Sequence, residues 1–397
     1  MTHKIKNSRL SHRTRWTLTA LVLLSTLVIL PGIRRDLPYA NDFDGPTWVT
    51  MAVRMAATGN LNPQWFGHPG STVITPLTVL YHTWYAVTGQ GSLLRFNPGI
   101  QTHFDSGHAW EYYLLGRLLT ASYYVLSVPL VYFLGTRSFG RHAALPGTIL
   151  YLFFPQTVFY ARMVRSDSAA TFFAVLCLWR CAIILKKPAI RNQVLAGAVW
   201  GLAVASRCFT AALAVVYLGT NVRHYMKLAD RAAKRCLFLA VTIGGVTAVL
   251  AFALITPYFF LDFATVLHDF RVESRMAHLG FDGLTPTGNF PWYLTTGIPR
   301  SMTWVPALVA LFGTGFSLRQ RPPIPKLLVG YVVAFLFTIS LPALHWPRWT
   351  LQILPVLALF AAHAVNHGTA TIGKWCGWEW TPRAARFTKW AHCQKLG

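Results

Sequence analysis

Residues 236–256 read CLFLAVTIGGVTAVLAFALIT, 21 positions without one charged side chain. A helix needs about 17 or more consecutive apolar residues to cross a bilayer, so this run is long enough. Working outward, comparable runs recur at 16–33, 111–135, 142–160, 168–185, 193–206, 209–221, 302–318, 327–343 and 349–366. Of all residues, 54 % are hydrophobic and 12 % charged, against about 25 % charged in a soluble domain. A water-soluble helical protein of this composition would expose more apolar surface than water tolerates. The expected fold is all-α, a polytopic integral membrane protein of about ten transmembrane helices.

The first run, preceded by Lys4, Lys6, Arg9, Arg13 and Arg15, looks like a signal peptide. It ends in Leu-Pro-Gly-Ile and then Arg34-Arg35, with no clean small-x-small site, and is read as an uncleaved span. Residues 34–110 form a long outer loop. Within it Pro46 to Ala57 reads as a short amphipathic helix, closed by Thr58-Gly59-Asn60 and turned by Asn62-Pro63. The apolar stretch 71–87, interrupted by Pro76 and His82, is read as lying at the interface or re-entering it. The runs at 193–206 and 209–221 are short, which predicts tilted helices or a break near Arg207.

Net charge is +24, which raises nucleic-acid binding as a reading. The distribution argues against it. The segments 1–15, 136–141, 180–192, 222–235, 319–326 and 367–397 hold 24 of 36 basic residues and every lysine, with only Asp230 and Glu379 as acids. Such a split follows the positive-inside rule. It places both termini inside, and counting 71–87 as a full span would scramble it. Residues 1–366 are read as the transmembrane domain, with a second large outer loop at 257–301. The basic tail 367–397, with Trp375, Trp378, Trp380 and Trp390, suits a segment on the inner leaflet. The six cysteines form no metal-ligand or disulfide pattern.

Chemistry is sought where the outer charges fall. Asp42 and Asp44 precede the amphipathic helix, where a carboxylate serves as a general base or as a helix cap. Arg162, Arg165 and Asp167 lie in a tight turn between two spans. Asp167 there is either a cap or a partner for arginine, and a guanidinium offers a planar fork of donors for phosphate. Arg117, Arg207 and Arg348 approach the same side from other spans, and Arg271 and Arg275 flank Glu273 in the outer loop. Ionisable groups at membrane depth are functional suspects by default. Convergence of these arginines would make a pocket for a lipid-anchored phosphate. His103-x-Asp105-x-x-His108 offers metal-ligand types at an unspecific spacing, so a divalent metal stays open. No nucleotide-binding loop is present.

The stretch from Asp44 through Gly45-Pro46-Thr47-Trp48 to Asn62-Pro63 resembles the first outer loop of GT-C glycosyltransferases, in particular protein-mannosyltransferase-like and aminoarabinose-transferase-like members. Leu115-Gly116-Arg117-Leu118-Leu119, Phe139-Gly140-Arg141, and the stretches 162–167, 203–210, 256–262 and 348–355 also fit, in order, over about residues 10–365. This resemblance implies a GT-C-type fold with juxtamembrane helices in the first outer loop. It implies transfer of a sugar from a polyprenyl-phosphate or dolichyl-phosphate donor to a lipid, glycan or protein acceptor, on the outer face of a cell inner (plasma) membrane. Asp44 falls where the family has its catalytic aspartate. The family commonly follows it with glutamate; this chain has Gly45, and Asp42 is the alternative carboxylate. Arg207 falls where relatives place a basic residue near the donor phosphate. Arg348 matches the Arg-Tyr of a late span, with Trp349 for the tyrosine. The rival readings are a transporter or flippase of a phosphate-bearing lipid or sugar, and a catalytically inactive relative.

Overall fold

The computed structural model describes residues 11–37, 45–67, 69–273, 286–319 and 322–375. Helix α1 (His12–Ile29) is followed by three helices of the first outer loop, α2 (Gly45–Thr58), α3 (Ser71–Val87) and the short α4 (Gly99–His103). Next come α5 (Ala109–Ser138), α6 (Arg141–Leu152), α7 (Pro155–Ala161), α8 (Asp167–Ile184), α9 (Ile190–Ser206), α10 (Ala214–Tyr225) and α11 (Arg231–Ile255). The second outer segment carries α12 (Tyr258–Leu261), α13 (Phe263–Glu273), α14 (Pro286–Trp292) and α15 (Ile298–Met302). Helices α16 (Trp304–Arg319), α17 (Pro323–Ser340) and α18 (Leu354–Trp375) complete it. Among the described residues there is no strand.

Each of the ten expected spans is helical, but they differ in form. Among the described residues, five stretches are long and apolar enough to cross a membrane: His12–Gly32, Gly99–Ser138, Asp167–Ile184, Arg231–Ile255 and Pro323–Ser340. The run 142–160, read as one span, is two helices. Pro155 opens α7, and the residue before it, Phe154, is extended (φ −61°, ψ 129°), because a following proline disfavours the helical region. The break expected near Arg207 is present: α9 ends at Ser206, Arg207 is extended (φ −155°, ψ 128°), and a 3-10 turn leads into α10.

Helix α8 sits inside the bundle against α5, α9 and α10, with Ala170, Ala174, Cys177, Leu178 and Cys181 buried. Helices α1 and α11 lie outermost; Leu27, Phe238, Val249 and Leu254 are exposed, an apolar surface fit for lipid. Helix α11 packs along α9 through Gly197 and Gly201. A Cβ on Gly197 would strike the Gly244 carbonyl, and one on Gly201 the Ala248 carbonyl. In lipid, where apolar burial alone does not drive helices together, small residues spaced by four permit this close approach. On the other flank, a Cβ on Gly313 of α16 would strike the Phe360 carbonyl of α18.

The first outer loop builds a second core. Trp48, Val49, Ala52, Val53 and Ala56 of α2 pack against Val73, Ile74 and Leu77 of α3. Val164 and Ala169, which flank the turn before α8, join the same core. Arg54 pins the turn after α2 by donating to the Gln64 side chain at 2.8 Å and the Pro63 carbonyl at 2.5 Å. The second outer segment is tied on by two carboxylates: Asp262 accepts from the Asn62 amide at 2.9 Å, and Asp269 from the Phe66 backbone N–H at 2.7 Å.

Candidate functional site

Two of the arginines expected to converge, Arg165 and Arg207, meet at one carboxylate, and the charge of a third, Arg348, acts on it. Asp167 is the first residue of α8, fully buried, and Ser166 holds the cap position. Asp167 therefore does not cap the helix. Its Oδ2 accepts from Arg165 Nε at 3.2 Å and Arg207 Nη2 at 3.1 Å. Arg207 Nε lies 3.0 Å from Oδ1 as an ion pair too bent for a hydrogen bond. Both guanidinium groups are buried, and the amino end of α8 further favours an anion.

Arg348 reaches this group from the far end of the chain. Its neighbour Trp349 packs on Phe209, just past the α9 break, with ring centroids 4.8 Å apart. The Arg348 guanidinium lies over Trp346 at 4.5 Å. Its charge acts on both Tyr160 and Asp167. Tyr160 also lies beneath Arg165, 5.5 Å from ring centroid to guanidinium. Tyr293, whose hydroxyl accepts from the Trp346 backbone N–H at 3.4 Å, senses both Arg348 and Arg207. Among the described residues, Arg165 and Arg207 thus flank the buried Asp167 directly, and the charge of Arg348 reaches it. Arg207 Nη1 has no hydrogen-bond partner among the described residues. A second anion beside Arg207 would meet a donor already in position.

The first outer loop abuts this cluster. Thr72 of α3 hydrogen-bonds Ser206, the residue before Arg207, at 2.7 Å. Gly70 starts α3 with φ +53°, and a Cβ there would strike Trp48 in the first turn of α2. The beginning of α2 is therefore joined through Gly70 and Thr72 to the break that carries Arg207. Asp42 and Asp44 lie outside the described residues, as do Arg275 and the tail beyond Trp375. The next residue after Asp44, Gly45, is buried at the start of α2.

Two further expected site residues bond to the backbone of α1 and the turn after it. Arg162 donates to the carbonyls of Val28 at 2.5 Å and Ile29 at 3.3 Å. Arg117 donates to those of Ile33 at 3.0 Å and Arg35 at 2.6 Å. Arg162 thus sits at the carboxyl end of α1, where open carbonyls and the helix dipole attract cations, and Arg117 ties down the turn that follows it. Tyr160, Tyr293 and Ser206 are near the cluster without having been singled out in the sequence. Ser206 and Tyr160 lie beside Arg207 and Arg162 in the chain, whereas Tyr293 reaches the cluster through a contact 53 residues away that no local pattern marks.

Along α14 and α17 runs a largely apolar cavity of about 1020 Å³, lined by Phe290, Val329, Val333, Phe337 and Leu341. Its upper border, Ser340 and Leu341, leads along the chain into the segment His345–Arg348. A groove of this character accepts a hydrocarbon chain.

The comparisons with known proteins agree with this architecture. A family model described as dolichyl-phosphate-mannose-protein mannosyltransferase matches residues 111–265, the stretch with Arg165, Asp167 and Arg207. No curated protein matches the chain significantly by sequence. Among solved structures, ArnT from Cupriavidus metallidurans bound to undecaprenyl phosphate is similar, with TM-score 0.60 and 16 % identity over 89 % of this chain and 60 % of that one. The apo ArnT structure gives TM-score 0.60 and 17 % identity over 90 % of this chain and 60 % of that one. The oligosaccharyltransferase AglB from Archaeoglobus fulgidus, in complex with an inhibitory peptide and a dolichol-phosphate, gives TM-score 0.54 and 13 % identity over 93 % and 52 %. The chain is a polytopic membrane protein with the GT-C-type fold. It spans 60 % of the length of the ArnT chain.

Proposed function

We propose that this chain is a membrane glycosyltransferase that moves a sugar from a polyprenyl-phosphate or dolichyl-phosphate donor to a lipid, glycan or protein acceptor. Transfer takes place on the extracytoplasmic face of a cell inner (plasma) membrane. The observation that carries this reading is the buried ion-pair cluster of Arg165 and Arg207 with Asp167, with the half-buried Arg348 close enough for its charge to act on the same carboxylate. Its placement at a helix break, next to the first outer loop, suits a lipid phosphate whose tail stays in hydrocarbon.

Asp44 is the general base of this proposal, with Asp42 as its neighbour. An acceptor hydroxyl attacks the anomeric carbon from the face opposite the phosphate and passes its proton to Asp44. The bond from that carbon to the phosphate oxygen breaks, and its electron pair leaves on the polyprenyl phosphate. One direct displacement inverts the anomeric centre. Arg207 and Arg348 stabilise the charge that gathers on the leaving phosphate, while Asp167 holds Arg165 and Arg207 in place. No nucleotide is needed, because the donor's own phosphate–sugar bond drives the transfer.

The test incubates purified protein with a panel of polyprenyl-phosphate sugars and acceptor extracts and measures release of polyprenyl phosphate. Consumption of one donor by wild type, with a loss of about 100-fold or more in Asp44→Asn, is the expected result. A well-folded Asp44→Asn protein at the wild-type rate would refute the role of Asp44. Substrate flux across vesicles with no donor consumed would favour a transporter instead.

A further inference from the structure

The outer end of α5 carries a group of side chains that the proposed transfer does not use. Helix α4 ends at His103, and the chain makes a wide turn through Ser106 and Gly107 before α5 starts. Gly107 has φ +99°, a conformation that side chains disfavour. This turn folds the chain back so that His103 and His108 stack, ring centroids 4.1 Å apart and planes at 19°. Glu111 follows His108 by one helical turn, a spacing that sets two ligands on the same helix face.

We infer that His103, His108 and Glu111 form a binding site for a divalent transition metal of the zinc class. One donor atom from each lies within 4.8 Å of the other two. Donors about 2.0–2.2 Å from a tetrahedral zinc are about 3.3 Å apart, so small rotations of the exposed His108 and of Glu111 close the site. Each ligand is also held by its other polar atom. Tyr112 hydroxyl engages His103 Nδ1 at 3.1 Å, and Ser106 hydroxyl engages His108 Nδ1 at 3.3 Å. Trp84 indole donates to Glu111 Oε2 at 3.0 Å. These bonds leave Nε2 of both rings and Glu111 Oε1 for the ion. Such outer partners fix ring tautomer and orientation in metal sites.

Packing alone accounts for His103, which meets Tyr85 and Tyr112 edge-on. It does not account for His108, exposed yet stacked against His103. Asp105, the acid that lies between the two histidines in the sequence, is not part of the group. Both of its oxygens accept from the Gln101 amide at 3.1 Å. With two histidines and one carboxylate, the ion keeps one position for water, as three-ligand zinc sites do. The site clips the turn before α5 to the α5 helix itself.

The experiment titrates Co²⁺ into tag-free, chelator-stripped full-length protein in detergent and follows the visible absorption of tetrahedral cobalt. Zn²⁺ is then added to displace it. One equivalent should bind, and His108→Ala and Glu111→Gln should each weaken binding by at least tenfold, while Asp105→Asn binds as wild type. Zn²⁺ should raise the melting temperature of wild type and leave that of His108→Ala unchanged; because His108 is exposed, this variant keeps the fold. Absence of a stoichiometric site in wild type, or undiminished binding by the His103→Ala/His108→Ala double variant, overturns the proposal.

Discussion

Replacing Asp167 with asparagine removes the anion that pairs with both Arg165 and Arg207 and leaves both guanidinium groups buried. The two contacts lie at 3.2 and 3.0 Å. At such separations Coulomb attraction is roughly 5 kcal/mol per arginine for an effective dielectric near 20, before desolvation is subtracted. Breaking a buried pair by deleting one partner typically costs about 3–5 kcal/mol. Asp167→Asn should therefore lose about 3 kcal/mol or more in equilibrium unfolding in mixed detergent micelles. The second variant of the cycle, Asp167→Asn with Arg207→Met, should recover part of that loss, because one stranded cation is gone. A soluble alkyl phosphate should restabilise Asp167→Asn more than it stabilises wild type. A loss within about 1 kcal/mol, the range of ordinary substitutions, with no coupling to Arg207, would refute the electrostatic reasoning.

Arg207→Lys keeps the charge but loses the planar fork, so its transfer rate should fall between wild type and Arg207→Ala. The alanine should lose about 100-fold or more, measured as donor consumption at saturating donor. Gly197→Ala puts a methyl into the Gly244 carbonyl and should cost about 1–3 kcal/mol; unchanged unfolding would show that α9 and α11 do not pack so closely. Hydrogen bonds from Thr265 and Asn62 hold the Asp262 carboxyl below its usual pKa, so its contribution is full above the unfolded value of about 3.9 and fades as pH falls through the lower folded one. Hydrogen exchange of residues 62–66 should stay slow down to about pH 4 and quicken below it, at a higher pH in Thr265→Ala; quickening only on the alkaline side would contradict this.

Local patterns in the sequence carried much of the architecture. The helix expected over Pro46 to Ala57 is Gly45–Thr58, and the stretch 71–87 is a helix with those bounds. Gly and Asn punctuation and apolar spacing mark such ends within a few residues. The break at Arg207 was legible because two apolar runs were too short to span and met at a charge. The break at Phe154-Pro155 was equally marked by proline, but the surrounding apolar run hid it. Outer-side placement raised convergence of the arginines without fixing which of them meet, and the meeting of Arg165 and Arg207 at Asp167 needs the fold. The bonds of Arg162 to α1 and of Arg117 to the turn after it are equally hidden, since they pair with carbonyls 133 and 84 residues away. Likewise Asp105 is the obvious acid between His103 and His108 in the sequence. Only the positive φ of Gly107 reveals that the turn presents Glu111 instead.

The account is tested most directly by the affinity of the purified protein for undecaprenyl phosphate, measured beside undecaprenol and beside Arg207→Gln. The phosphate should bind one to one and the bare alcohol far more weakly, with a loss of about tenfold or more in Arg207→Gln. Equal binding of alcohol and phosphate, or an unchanged variant, would mean that the arginines around Asp167 serve only to hold the bundle together.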